Sequence, residues 1–137
     1  MAETVTNRGK YLLTKTGSDN ITWRMCAFTG TQTGANDADL NTVADLDAVS
    51  GISIHSERLT LASVTVTEDD TNDRAALDCA NASFAAAAGV TAQGVAIYHE
   101  GTGADSGREL IAIYTTGFPQ PMDGGLNITI NDFIRSS

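Results

Sequence analysis

Two histidines, two cysteines and two short acidic runs are the residues of this 137-residue chain whose types could support chemistry. His55 and His99 lie far apart, each in a segment that reads as a strand, and neither has a cysteine or carboxylate at ligand spacing. A zinc centre is therefore not expected. Cys26 and Cys79 read as buried thiols rather than a disulfide, because nothing at the N-terminus points to export. The run Glu68–Asp73 is the best calcium candidate, since a hard cation collects several oxygens from one loop. It lacks both the sharp-turn glycine and the closing glutamate of an EF-hand, so a solvated hairpin tip is the favoured reading. Asn36-Asp37-Ala38-Asp39 is a weaker version of the same pattern.

Nucleophilic chemistry finds little support. Ser56 follows His55 directly, and neighbouring strand residues point to opposite faces. There is no Gly-x-Ser-x-Gly, and neither cysteine has a general base near it in sequence. Gly101-Thr102-Gly103 is not followed by the Lys-Ser/Thr of a phosphate loop. Basic and aromatic residues do not interleave on any strand, as an RNA-binding sheet would require. The expectation is a non-enzymatic protein with no catalytic residue, metal or cofactor.

The elements that would position these residues are mainly strands. Ile21–Phe28 alternates, with Ile21, Trp23, Met25 and Ala27 on one face and Thr22, Arg24, Cys26 and Phe28 on the other. Gly30–Asn36 is a loop, after which Asp37 or Asp39 is placed to cap a short helix carrying Leu40, Val43, Ala44 and Leu46. Gly51–Thr67 reads as two strand pieces. Leu59 and Leu61 fall at odd positions and Val64 and Val66 at even ones, so a bulge or break is expected near Ala62-Ser63. Glu68–Asp73 turns the chain back into a strand over Arg74–Cys79. Thr91–Glu100 and Arg108–Thr116 form the clearest hairpin, with Val95 and Ile97 opposite Ala96 and Tyr98. Phe118-Pro119-Gln120-Pro121 interrupts regular structure, and Leu126, Ile128 and Ile130 mark the last strand. The fold class is all-β: an antiparallel β-sandwich or jelly-roll-like barrel with one short helix. Residues 1–20 form an N-terminal arm or edge segment, and 21–137 a single domain.

A net charge of −9 repels both phosphate backbones and anionic membrane surfaces, so neither nucleic acid nor membrane is an expected partner. The longest apolar stretch, around Ser83–Val90, is mostly alanine, is broken by Gly89 and is too short to span a bilayer. Met1-Ala2-Glu3-Thr4 has neither the basic region nor the apolar region of a signal peptide.

The order of several short motifs carries further information. Tyr11-Leu12-Leu13 precedes Ile21–Thr29; Asp39–Val43 and Val49–Ile52 come next, then Leu59–Thr67, Asp69–Ala80, Val95–Gly103 and Leu110–Tyr114. Taken in this order, over most of residues 10–132, they resemble a family of small virion proteins of tailed bacteriophages. The chain departs from the family pattern at Phe84, where a tryptophan is usual, and at Asn131-Asp132, where a Trp-Asp is usual. The resemblance implies a head decoration, or cement, protein made in the host cytoplasm and placed on the capsid exterior. It also implies the major capsid protein as partner and a homo-oligomer, with a trimer favoured. A tail or neck component is the alternative within that class. A glycan- or cell-surface-binding module is the alternative outside it, one that would need more exposed aromatics than this chain supplies.

Contacts with neighbours are expected from irregular, partly apolar stretches: Tyr11, Leu12 and Leu13, the Gly30–Asn36 loop, and Phe118, Pro119, Pro121 and Met122. Trp23 joins them as a candidate anchor, although its place beside Ile21 and Met25 favours core packing.

Overall fold

A computed structural model describes residues 3–6, 22–30, 39–69, 74–101, 103–115, 117–129 and 134–136. The all-β expectation holds, with antiparallel sheets, one short helix and no closed barrel among the described residues.

The centre is a five-stranded sheet in the order β1-β9-β8-β2-β3, formed by Glu3–Val5, Glu109–Tyr114, Gly94–His99, Trp23–Thr29 and Ser53–Thr60. Its middle strands alternate as the sequence predicts, and both faces are buried. Trp23, Met25 and Ala27 of β2, with Val95 and Ile97 of β8, enter one core. Cys26 and Phe28, with Ala96 and Tyr98, enter a second core on the opposite face. A strand that is apolar on both sides must lie between two layers.

The first core is closed by short strand pairs. One is β6 (Ala82–Phe84) with β11 (Leu126–Ile128), and the other is β7 (Thr91–Ala92) with β10 (Gln120–Pro121). Phe84, Met122, Leu126 and Ile128 fill it from that side. The second core is closed by α1 (Val43–Asp47), which buries Val43 and Leu46. The helix starts at Thr42, not at Asp37 or Asp39. Thr42 accepts from the Asp45 amide at 3.1 Å, and the Asp45 carboxylate accepts from the Thr42 amide at 2.9 Å, a reciprocal cap that Asp39 lies too far upstream to make.

Two irregularities set the faces. The expected break falls after β3, where Ser63 adopts a left-handed φ of 55° and the chain leaves for β4 (Thr65–Asp69). A second was not anticipated: Ile97 lies opposite Ala112 but Tyr98 opposite Leu110, so Ile111 is an extra residue in β9. This bulge lets Ile111 and Ala112 both face the first core, while Leu110 and Ile113 face the second.

Several sequence expectations need correction. Glu68 and Asp69 are paired strand residues opposite Ala75 and Arg74 of β5 (Arg74–Asp78), so the hairpin tip is shorter than Glu68–Asp73; 70–73 lie outside the described residues. Thr91–Glu100 is two strands in different sheets, β7 with β10 and β8 in the central sheet; at Gly94, opposite Phe28, a Cβ would stand 2.5 Å from the Phe28 ring. Leu126–Ile128 is not the final strand, since β12 (Ile134–Ser136) pairs with β5. Within the N-terminal segment, residues 3–5 form the outermost strand of the central sheet, and Thr6 is buried with its hydroxyl 2.5 Å from the Leu110 carbonyl.

Thr6 donates its amide to Ile111, and the stretch before α1 continues along the same strand, through Leu110 to Asn41 and Val43 to Arg108, each at 2.9 Å. The outer side of β9 is therefore covered by two segments distant in sequence. The opposite margin of the sheet is β3.

Candidate functional site

At one end of the second core, the sheet gathers Arg24 of β2, Arg58 of β3 and Tyr98 of β8 under the loop that joins β8 to β9. That loop brings Glu100, Asp105 in a short 3-10 turn (Asp105–Gly107), and Arg108. Gly101 makes the turn possible: its φ is 56°, and a Cβ would stand 2.1 Å from the Gly107 carbonyl.

These side chains form a continuous charged network. Arg58 binds both oxygens of Asp105, at 3.2 and 3.3 Å. Arg108 donates to Asp105 at 2.7 Å and to Glu100 at 2.9 Å. Arg24 meets the other oxygen of Glu100 at 3.3 Å and donates to the Arg58 carbonyl at 2.8 Å, which closes the circuit. Arg58 and Arg108 also stand over Tyr98, each 5.8 Å from the ring centroid. Three of the chain's eight basic residues are thus committed at one spot. The arginine and carboxylate side chains are only 17–33% exposed, so water screens them incompletely.

The electrostatics favour fixed charge. Hydrogen bonding to Arg108 holds the Glu100 carboxyl below its ordinary value, with Arg24 adding to the effect. Burial pushes Asp105 upward, but the bonds from Arg108 and Arg58 outweigh it, and the net shift is down. Glu100 and Asp105 in turn raise Arg108. A general acid near neutral pH needs its carboxyl shifted upward, the reverse of what these two residues experience. Tyr98 lies under the network with its hydroxyl buried and outside hydrogen-bonding geometry, and burial raises its pKa. Burial also pushes the Cys26 thiol, on the same face, up to about 12.

The other candidates are scattered. His55 and His99 lie on β3 and β8 with β2 between them. His99 Nδ1 is 3.7 Å from Glu109, and the same cross-strand row carries Trp23. Cys79 is buried and unbridged, and burial raises its thiol to about 11. Among the described residues no group of three or more His, Cys, Asp or Glu could hold a metal ion. No described helix is long and apolar enough to cross a membrane.

The residues expected to contact neighbours separate clearly. Tyr11, Leu12, Leu13 and positions 31–36 lie outside the described residues. Pro119 and Pro121 are exposed, and Phe118 is half-buried against the first core. Trp23 and Met122 are 2% and 0% exposed. As surface contacts these two are a correction: β2 is central, and Met122 packs into the first core, so their side chains are enclosed within the chain.

Sequence reasoning missed the charged network. Its one local signal was Arg24, a charge on the same strand face as the buried Cys26 and Phe28. No family model matches the chain, and neither the curated proteins nor the solved structures provide a match.

Proposed function

We propose that the chain is a structural protein of a tailed-phage virion, a capsid decoration or cement protein bound over junctions between major-capsid subunits. The observation that carries this reading is the network of Arg24, Arg58, Glu100, Asp105 and Arg108. Its members pair with one another through hydrogen bonds and ion pairs and fasten a loop to the sheet, as suits a rigid body that works by covering surface. The ordered motifs that resemble small virion proteins supply the identity of the surface to be covered.

Binding to the assembled shell and not to free subunits stabilises the shell by mass action. A stable footprint of this kind buries about 1,200–2,000 Å² in total. The exposed Pro119 and Pro121, with the half-buried Phe118, offer rigid apolar surface for part of it. A homotrimer would place three such surfaces around one junction.

Adding the purified protein to undecorated capsids and counting bound copies tests the assignment. Hundreds of copies per head support decoration, a dozen or fewer support a neck or tail ring, and no binding removes both. A glycan array that returns specific binding would favour a cell-surface module instead.

A further inference from the structure

Strands β3 and β6 each stand outermost in their sheets, and no ladder joins them among the described residues. The chain stretches that contain them run antiparallel and are tied at two points. Ala80 donates its amide to the Ala62 carbonyl at 2.9 Å, and Ala85 donates its amide to the Glu57 carboxylate at 2.9 Å. Between these ties the stretches splay apart and leave a cleft of about 200 Å³, lined by residues 59–62 and 80–83. Leu61 and Ala82 are its buried members, while Thr60, Ala62, Ala80 and Ser83 are exposed.

We propose that this cleft is a docking site for an extended, cationic segment of a neighbouring protein, which seats one apolar side chain against Leu61 and Ala82. Two strand margins facing each other without a ladder offer main-chain donors and acceptors, and an extended peptide is the ligand that satisfies both. The volume corresponds to roughly seven waters at about 30 Å³ each, the scale of a single side chain rather than a cofactor. Charge selects the partner's sign. The lining itself is uncharged, the carboxylates of Glu57 and Asp78, which accept from the Ala85 and Cys79 amides, flank the two stretches in sequence, and the whole chain carries −9. The location also fits, because segments 3–6 and 41–43 already occupy the opposite margin of the central sheet, along β9.

The cleft can be tested without a capsid, so the outcome is separate from that of the virion assignment. The ¹⁵N-labelled full chain is titrated with the blocked peptide acetyl-Lys-Leu-Lys-Leu-Lys-amide and with its Glu-for-Lys counterpart. The expected result is saturable shifts of the amides in 57–62 and 80–85 with the cationic peptide alone. Ala80→Lys, at an exposed lining position, should weaken binding about tenfold through like-charge repulsion. Ala80→Phe should fill the cleft and abolish binding. The amide spectrum of each variant reports directly whether the fold is retained. No saturable shift, shifts centred elsewhere, equal binding of the acidic peptide, or indifference to both substitutions would overturn the proposal.

Discussion

Replacing Asp105 with alanine removes the carboxylate that receives both guanidinium groups of the loop clamp. Three charge-assisted bonds disappear, two from Arg58 at 3.2 and 3.3 Å and one from Arg108 at 2.7 Å. Breaking a fully buried ion pair from one side costs about 3–5 kcal/mol, because the surviving charge is left uncompensated. Asp105 is 33% exposed and both arginines 17%, so water compensates part of that loss and about 2–3 kcal/mol is the expected cost. For a domain of this size that lowers the Tm by roughly 6–12 °C. The pH dependence has a definite sign. Both Asp105 and Glu100 have folded-state values below those of the unfolded chain. Their contribution is therefore fully present above the unfolded values of about 3.9 and about 4.3, and is lost as pH falls through the lower folded values. Calorimetry of both proteins from pH 7 down to pH 2 should show the wild type losing more stability than the variant across the acid range. A cost at pH 7 below about 0.5 kcal/mol, within the range of exposed pairs, would refute the reading of the network as a structural clamp.

Three further outcomes follow from the geometry. Gly94→Ala places a methyl 2.5 Å from both the Phe28 ring and the Tyr114 carbonyl, and should cost about 2–3 kcal/mol in urea unfolding. Thr42→Ala removes the helix cap and should cost about 1 kcal/mol by the same measurement. Cys26 and Cys79, buried and with thiols raised to about 12 and about 11, should resist a thiol-specific disulfide reagent at pH 7.5 and react fully once the chain is unfolded; rapid reaction of the native protein would contradict the packing around them.

The parts of the fold legible in the sequence were those whose cause is local. Trp23-Arg24-Met25-Cys26-Ala27-Phe28 and Val95-Ala96-Ile97-Tyr98 alternate because each strand feeds two cores, and period-two burial shows in any window of that length. The phase flip at Ala62-Ser63 was visible for the same reason, as was the Val43/Leu46 spacing of α1. The illegible parts depend on residues elsewhere. Glu3-Thr4-Val5 is too short to show an alternation in sequence, and its place as a strand is set by pairing with β9. The extra Ile111 appears only when β9 is set against β8, since an uninterrupted apolar run can take either phase. Arg24, Arg58, Glu100, Asp105 and Arg108 look like ordinary surface charges when read singly, and only strand register makes them neighbours. Trp23 and Met122 show the converse, as side chains suited to a partner that the chain encloses itself.

The sealing of β9 has a consequence for synthesis. Its two covering segments come before the surface they cover: Thr6 docks on a carbonyl 104 residues further along. On the ribosome, β1 finds its place only once β9 has emerged, and β2 emerges long before its neighbour β8. The nascent chain must carry β2, whose side chains feed both cores, without one flanking partner until Gly94–His99 has been made. Premature termination before Tyr114 would strand the N-terminal segment with nothing to grip, so such truncated products should be degraded or aggregate rather than persist as smaller folded units.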